Sequence, residues 1–291
     1  MHRFRKAKIE DKEVIDEILR KCDCPSLEYN FTTLFLWQDV FNMEFKIEDG
    51  VLYIRSGKDK KSYLFPCGTG DVEIAIKKLM KENVRFHSVS EKNKAYLESL
   101  APGRFEFREV RSDGDYVYSR ESLATLSGKK LSSKRNHINR FIAENPDWKY
   151  EEITSENIEE VAKMHEKWCQ MIDDGSKKGL SDETCVVKRA LAYYNELKLS
   201  GGLIRCGGEV VAFSLGDKLN DKTFLVHIEK AFSNITGAYQ IINREFVLHN
   251  CMDYEFVNRE DDTGDENLRK AKLSYKPVEI VKKYEVKERK V

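Results

Sequence analysis

Residues 222–262 constrain the fold more than any other stretch, because two strand-like runs flank a helical repeat there. The first run, KTFLVHIEKA at residues 222–231, alternates and is rich in β-branched and aromatic side chains, which predicts a strand. From Ala238 onward apolar residues recur at helical spacing, and the short run Tyr254–Val257 predicts a second strand. A strand, helix, strand unit of this kind is typical of an α/β sheet.

Polar residues stand at the two places in this unit where α/β proteins bind ligands. A turn rich in Ser, Asn and Thr, ending at Gly237, precedes the helix, and the second strand runs into N-R-E-D-D at residues 258–262. In α/β sheets ligands bind outside the C-terminal ends of strands, beside helix N-termini whose free N–H groups suit an anion. We therefore predict a functional site at this end of the unit.

The remaining sequence predicts further elements of the same kinds. Asp49-Gly50 and Gly207-Gly208 each separate two alternating runs, which is typical of a β-hairpin. Both halves of the chain share the order helices, hairpin, strand, helix, strand, and residues 278–286 predict a closing strand. We predict an α/β fold with mixed sheets, organised as two tandem domains at residues 1–118 and 119–291.

A basic helix at residues 129–143 is predicted to lead into the second domain. No acidic residue lies between Glu121 and Glu144. Because Lys and Arg bind phosphate regardless of sequence, Lys134, Arg135 and Asn139 are candidates for contacting a phosphate-bearing donor. A solvent-exposed helix whose charge is balanced elsewhere is the alternative, and helical spacing alone does not decide between the two.

Composition narrows the class of protein. The 291 residues include 50 basic and 50 acidic side chains, so no overall field attracts nucleic acid or membrane and any attraction must be local. The N-terminus lacks the apolar stretch of a secretory signal, and no run approaches the length of a membrane-spanning helix. Seven cysteines without regular spacing favour reduced thiols. We expect a cytoplasmic protein; the sequence does not indicate its oligomeric state.

The polar strand end supplies candidates for catalysis. Acyl transfer to an amine or hydroxyl requires removal of a proton, and Glu260 or Asp261 is predicted to be the general base. Asn258 and Arg259 are predicted to contact the substrate. Neighbouring residues on a strand face opposite sides, so a strand continuing this far would bring one of the two carboxylates to the substrate. A solvent-exposed loop is the alternative for the whole cluster.

The start of the helix supplies a second group of candidates. Tyr239, Gln240 and Asn243 follow Gly237, and Gln240 and Asn243 share a face from which they can hydrogen-bond a carbonyl or a ribose. Ordinary capping and surface polarity explain them equally well. On the preceding strand, His227 and Glu229 alternate, and we predict a structural pair or the wet face of an edge strand rather than an acid/base pair.

Other chemistries lack support in the sequence. Cys22-x-Cys24 with Cys67 and His87 does not match the spacing of a zinc site, so no metal is expected. The stretch C-G-T-G at residues 67–70 lacks the Gly-Lys-Ser/Thr of a P-loop. The cations between Lys282 and Lys290 are predicted to form an exposed end.

Four motifs resemble an uncharacterised bacterial family related to the C-terminal domain of lysylphosphatidylglycerol synthase. They are D-Y-V-Y at 115–118, K-R-N-x-x-N-x-F at 134–141, G-x-Y-Q-x-x-N-x-x-F at 237–246, and N-R-E-D at 258–261 with G-x-x-x-L-R-x-A-K at 264–272. The element order resembles the GNAT acyltransferase domain. Two such domains joined by a basic helix are similar to the Fem-type transferases, which move an aminoacyl group from charged tRNA.

The resemblance implies two GNAT-like domains and a donor that is either acyl-CoA or aminoacyl-tRNA. Acetyl-CoA-dependent GNAT enzymes usually carry Gln/Arg-x-x-Gly-x-Gly/Ala before the pyrophosphate-binding helix, whereas this chain has Asn234 at the first position and Tyr239 at the last. The bulky Tyr239 argues against ordinary acetyl-CoA binding. The first hypothesis is an acyl- or aminoacyl-transferase, and the alternative is a non-catalytic protein that binds RNA, a nucleotide or a lipid head group.

Overall fold

A computed structural model describes residues 3–22, 24–172 and 178–289, and of residues 178–181 it describes the backbone alone. The helices are α1 (Lys12–Cys22), α2 (Phe31–Trp37), α3 (Val72–Leu79), α4 (Glu91–Leu100), α5 (Arg120–Thr125), α6 (Ser132–Glu144), α7 (Ile158–Ile172), α8 (Lys178–Ala192), α9 (Tyr194–Leu197), α10 (Ala238–Asn250) and α11 (Glu266–Ser274). The strands are β1 (Glu44–Glu48), β2 (Val51–Ser56), β3 (Ser62–Tyr63), β4 (Cys67–Gly68), β5 (Arg85–Val89), β6 (Phe105–Glu109), β7 (Asp115–Ser119), β8 (Lys149–Glu152), β9 (Ser200–Cys206), β10 (Glu209–Lys218), β11 (Thr223–Ala231), β12 (Phe256–Asn258), β13 (Glu279–Val281) and β14 (Tyr284–Glu288).

The chain forms two compact units, and neither is continuous in sequence. Unit 1 comprises Met1–Asp115, Asp261–Arg269 and Ile280–Val291, and unit 2 comprises Tyr116–Glu260 and Lys270–Glu279. The first and last segments of the chain therefore both contribute to unit 1. The predicted domains, 1–118 and 119–291, differ from these units. The segments Asp261–Arg269 and Ile280–Val291 belong to unit 1, whereas the prediction grouped them with the second domain.

Unit 1 is built on a mixed sheet in the order β1-β2-β3-β5-β14-β6, with β4 also paired to β2. The hairpin predicted at Asp49-Gly50 is confirmed, since β1 and β2 pair antiparallel across it. Helix α3 connects β3 to β5, which run parallel, and begins at Asp71, whose side chain accepts a hydrogen bond from the Ile74 N–H. A cluster of buried aliphatic and aromatic side chains, Phe86 and Phe105 among them, forms the core.

Unit 2 is built on a second mixed sheet, which includes the run β7-β12-β11-β10-β9-β8. The β9–β10 hairpin turns at Gly207 and Gly208, both with positive φ, as predicted. Strands β11 and β12 run parallel, and α10 connects them, which confirms the strand, helix, strand unit at residues 222–262. The mixed α/β fold class is thus confirmed in both units.

The closing strand departs from its prediction. Instead of one strand at 278–286, the chain forms β13 and β14, and β14 joins the first sheet between β5 and β6. The break falls near Lys283, whose side chain is 1% exposed and whose ammonium group forms ion pairs with Asp115 and Glu28. The prediction of an exposed basic end is therefore wrong at Lys283, because two buried carboxylates neutralise its charge; Lys290 lies outside the described residues.

The basic helix α6 packs closely against the start of α10. Gly237, with a φ of +86°, precedes α10, and a Cβ added there would lie 2.3 Å from the backbone oxygen of His137 and 2.9 Å from Cβ of Phe141. Only a residue without a side chain fits between these two helices. Packing therefore requires the glycine of the G-x-Y-Q motif at position 237, and α6 covers the residue that precedes α10.

We expect Gly237→Ala to destabilise unit 2 by about 2–4 kcal/mol, from the strain of positive φ plus overlap with rigid helix backbone. Gly128→Ala is the matched control, because Gly128 has a φ of +81° but no atom within 4 Å of an added Cβ. Because Gly128 has a ψ of 168°, which places it in a region that only glycine adopts readily, that control should lose about 1–3 kcal/mol from backbone strain without any overlap. Urea unfolding followed by circular dichroism measures both, and equal losses would contradict the packing argument.

Candidate functional site

The site lies where β11 runs on past the end of β12. The two strands pair only from Thr223 to Leu225 on β11, and β11 then continues to Ala231 paired with β10 alone. A register shift at Leu215/Gly216 in β10 falls opposite His227. Because β12 has ended, side chains from the second half of β11 meet the polar residues that follow β12, as the position of ligand sites in α/β sheets predicts.

Glu229 is the centre of a buried cluster of three side chains. Its Oε1 accepts a hydrogen bond from Nη2 of Arg259 at 2.7 Å, and its Oε2 accepts one from Nδ2 of Asn243 at 3.0 Å. The side chains of Glu229 and Arg259 are 13% and 11% exposed. Three elements therefore converge: β11, the end of β12 and the face of α10.

Two polar atoms of this cluster are buried and have no hydrogen-bond partner among the described residues: Nη1 of Arg259, a donor, and Oδ1 of Asn243, an acceptor. Leaving a buried polar atom unpaired costs about 1–3 kcal/mol, and more when it is charged. Burial alone would lower the pKa of Arg259, but the charge of Glu229 raises it, so the guanidinium stays cationic. The cluster thus presents one unused charged donor and one unused acceptor.

Aromatic rings and lysines surround Arg259. Its Cζ lies 4.9 Å from the ring centroid of Tyr275 and 5.6 Å from that of Tyr118. Lys272 donates a hydrogen bond to the backbone oxygen of Arg259 at 2.6 Å. Lys134, on α6, places its Nζ 4.3 Å from the same Tyr275 ring. Stacked rings hold a guanidinium in place while leaving its N–H groups available.

His227 forms a second buried group beside the cluster. Its Nε2 lies 3.0 Å from Oδ1 of Asp217 and its Nδ1 lies 3.1 Å from Oε1 of Glu260. Burial lowers the pKa of His227, but the charge of Asp217 and hydrogen bonds to both carboxylates raise it to about 9. Glu260 has a φ of +57°, so the imidazolium holds a turn that an L-residue rarely adopts.

The raised pKa of His227 predicts a stability that depends on pH. Its contribution should be complete below pH 6.5, the ordinary pKa of histidine, and should be lost as pH rises through about 9. A buried shift of this size is worth on the order of 3 kcal/mol. Urea unfolding from pH 6 to pH 10 measures it, with His227→Gln as the control. A difference between the two proteins that stays constant with pH would contradict the assignment.

The predicted catalytic carboxylates have other partners. Glu260 contacts His227, and Oδ1 of Asp261 accepts a hydrogen bond from the Thr263 N–H at 3.0 Å within a turn. Asn258 is buried, and its Oδ1 accepts from the Glu260 N–H at 2.8 Å. Of the predicted strand-end residues, Arg259 is the one whose side chain joins the cluster. General-base roles for Glu260 and Asp261 stay predictions.

Of the candidate residues on α6 and at the start of α10, some lie at the site and others have different partners. Asn243 belongs to the cluster and Lys134 contacts the Tyr275 ring beside it, whereas Arg135 donates to the backbone oxygens of Leu126 and Gly128 and fixes the turn before α6. The Tyr239 hydroxyl accepts a hydrogen bond from Nε1 of Trp168 at 3.3 Å. Asn139 is exposed, and Gln240, half-buried, makes no side-chain hydrogen bond to a described residue. Their binding roles stay predictions.

The predicted interpretation of His227 and Glu229 is wrong. β11 lies between β12 and β10 rather than at a sheet edge, and the two side chains pair with different partners: His227 with Asp217 and Glu260, Glu229 with Arg259 and Asn243. Glu229, the centre of the candidate site, was therefore not predicted from the sequence. Its alternation with His227 on a strand leading to the turn was the available signal.

In the described ranges, no group of three or more His, Cys, Asp or Glu side chains could hold a metal ion. No helix among the described residues is long and apolar enough to cross a bilayer.

The fold and the site define a mixed α/β protein with a buried Glu–Arg–Asn cluster beyond a parallel strand pair. The family of phosphatidylglycerol lysyltransferase C-terminal domains matches residues 24–287, and the chain belongs to this family. The resemblance inferred from the sequence motifs is thereby confirmed. Membership establishes a relation to transferases, and the donor and acceptor of this chain are a separate question.

Individual relatives agree with the family. A crystal structure of a conserved protein of unknown function from Bacteroides thetaiotaomicron is 36% identical, covers 99% of this chain and 100% of that one, and has a TM-score of 0.94. The C-terminal domain of a putative lysylphosphatidylglycerol synthetase from Agrobacterium fabrum shares the fold, with 12% identity, coverage of 97% and 92%, and a TM-score of 0.65. An uncharacterised protein of Mycoplasmoides gallisepticum is 28% identical over 60% of this chain and 56% of its own length, so the match spans about half of that relative.

Proposed function

We propose that this protein is an aminoacyltransferase that takes an aminoacyl group from a nucleotide-linked ester, such as aminoacyl-tRNA, and passes it to a hydroxyl or amine. The observation that carries the proposal is the pair of unused atoms around Glu229: Nη1 of Arg259 and Oδ1 of Asn243. A simple acyl group offers only a carbonyl acceptor. An aminoacyl group offers both a carbonyl oxygen and an ammonium donor, which complement these two atoms.

Arg259 would supply the main catalytic interaction. Its Nη1 would donate to the carbonyl oxygen, whose negative charge grows as the acceptor attacks the carbonyl carbon. The C–O bond of the donor ester then breaks, the released hydroxyl takes a proton, and the acceptor loses one. Glu229 would hold the guanidinium in place, and Asn243 would position the ammonium group of the aminoacyl moiety.

The start of α10 favours a tRNA donor over coenzyme A. In GNAT enzymes the pyrophosphate of coenzyme A binds at the helix N-terminus that corresponds to α10. Here the backbone of α6 lies against Gly237, and Tyr239 extends toward Trp168. Both features reduce the room for a pyrophosphate at that position. The basic α6 in turn suits a polyanionic donor.

The family suggests the groups to test first, a lysyl donor and a phosphatidylglycerol acceptor. The purified protein is incubated with lysyl-tRNA carrying radiolabelled lysine and with vesicles containing phosphatidylglycerol, and the label is followed into the organic phase. We expect transfer from lysyl-tRNA and none from acetyl-CoA. Parallel reactions use a pool of other charged tRNAs and soluble amines.

Each outcome bears on the proposal. Transfer from acyl-CoA alone would overturn it and would show that the protein is an acyl-CoA-dependent transferase. Tight binding of charged tRNA without product from any acceptor would instead support the alternative function, a non-catalytic protein that binds an anionic ligand.

A further inference from the structure

We infer that Lys134, together with Lys276, forms a subsite beside Arg259 for the 5′-phosphate of the nucleotide that carries the aminoacyl group. This inference rests on the proposed function and specifies which residues recognise the donor beyond its reacting ester. The three cationic residues belong to unit 2: Lys134 and Arg259 lie against the ring of Tyr275, and Lys276 is the next residue along the chain.

Lys134 has no partner anion within the part of the chain that the structure describes. Its Nζ lies 4.3 Å from the centroid of Tyr275 and forms no ion pair or hydrogen bond with a described residue. It is half-buried, so solvent only partly compensates for the missing anion. Burial lowers the pKa of Lys134, and the neighbouring charges of Arg259 and Lys276 lower it further. An anion bound at this place would relieve both effects.

The surrounding charges favour an anionic ligand. Arg259 is neutralised by Glu229, but Lys134 and the exposed Lys276 have no carboxylate partner among the described residues. Lys134 Nζ and Arg259 Cζ lie 4.3 and 4.9 Å from the same ring centroid, so they are separated by no more than the sum of these distances. A phosphate near Lys134 is therefore close to the guanidinium that would hold the acyl carbonyl.

The packing of α6 fixes the position of Lys134. Helix α6 contacts the start of α10 at Gly237, where the backbone oxygen of His137 would lie 2.3 Å from an added Cβ. Arg135, next to Lys134, is anchored to the backbone oxygen of Gly128 at 2.8 Å. These contacts hold the first turn of α6, and with it Lys134, against the site.

A nucleotide phosphate fits better than a lipid head group. Lys129 and Lys130, both exposed, precede α6 in the chain, and no acidic residue follows Glu121 until Glu144. Several cations in one segment suit the successive phosphates of an RNA strand, whereas a head group carries a single phosphate at the site. The last phosphate of such a strand would contact Lys134.

The test uses two probes that differ by one phosphate. They are 3′-lysylamido-3′-deoxyadenosine, whose amide resists transfer, and the same compound with a 5′-phosphate. Calorimetric titration of the whole protein should show the phosphorylated probe binding about tenfold or more tightly, as expected for a charge-assisted contact. Lys134→Gln should reduce this preference to about twofold, and Lys134→Arg should restore it.

Lys149→Gln is the matched control, because Lys149 is exposed on β8, at the other end of the strand run from β12, and should leave the preference unchanged. Equal binding of both probes to the native protein would overturn the phosphate subsite and leave the proposed function standing. Binding of neither probe would overturn both. If glycerophosphoglycerol displaces the phosphorylated probe in a Lys134-dependent way and adenosine 5′-phosphate does not, the subsite belongs to a head group and the nucleotide assignment is wrong.

Discussion

Arg259→Met should lower kcat/KM for aminoacyl transfer by about 10²–10³-fold, the usual cost of removing a donor aimed at a developing oxyanion. The reason is that Nη1 of Arg259 is the unused charged donor of the buried cluster, held by the contact from Nη2 to Glu229 at 2.7 Å. Radiolabelled transfer from lysyl-tRNA measures the effect. Methionine keeps much of the side-chain volume, so the change removes charge and hydrogen bonds more than packing.

Removing Arg259 also leaves Glu229 buried with only Asn243 as a partner, and this effect must be separated from catalysis. The double variant Arg259→Met/Glu229→Gln removes the unpaired charge, so it should recover stability but not activity. Arg244→Met is the matched control, since Arg244 pairs with the neighbouring Glu245 away from the cluster. If the double variant recovered transfer, Arg259 would be a structural residue and its catalytic role would be contradicted.

Lys283→Met should destabilise unit 1 by about 3–5 kcal/mol, the usual cost of breaking a buried ion pair by removing one partner. Burial alone would lower the pKa of Lys283, but Asp115 and Glu28 raise it above its ordinary value, so the ammonium group is charged at neutral pH. Its Nζ lies 2.6 Å from Asp115 and 2.8 Å from Glu28. Without it, two carboxylates remain in an apolar interior.

The measurement is urea unfolding at pH 7, with Lys287→Met as the control. Lys287 lies in the same strand, β14, but its side chain is 57% exposed and pairs with Glu106 at the surface. Exposed pairs contribute little, so that variant should lose less than about 1 kcal/mol. Similar losses for the two variants would show that the buried network does not stabilise unit 1.

The local elements were predicted well because their signals lie within a few residues of each other. Both hairpins occur at the predicted glycine turns, which separate two runs of alternating residues. The strand pair around α10 was likewise predicted from periodicity. Even the placement of a site at the end of β12 followed from a general property of α/β sheets.

The individual residues of the candidate site were predicted less well from the sequence. Arg259, Asn243 and Lys134 were predicted and meet around Glu229 and Tyr275, but Glu229 was interpreted as structural and the two tyrosines were not considered. The polar residues after β12 look alike in sequence. Which of them turns toward the site depends on the φ of +57° at Glu260, and this conformation is stabilised by His227 from another strand.

From the sequence alone follow the strand, helix, strand unit, both hairpins, the family and the end of the sheet at which we place the candidate site. Tertiary structure alone decided that Lys283 is buried, that α6 covers the start of α10, and that Glu229 joins Arg259 and Asn243. The difference arises from how far apart along the sequence the interacting residues lie. Periodicity and capping act between residues a few positions apart, whereas Lys283 and Glu28 are 255 positions apart and Arg259 and Glu229 are 30, so their contacts exist only after the sheets have formed.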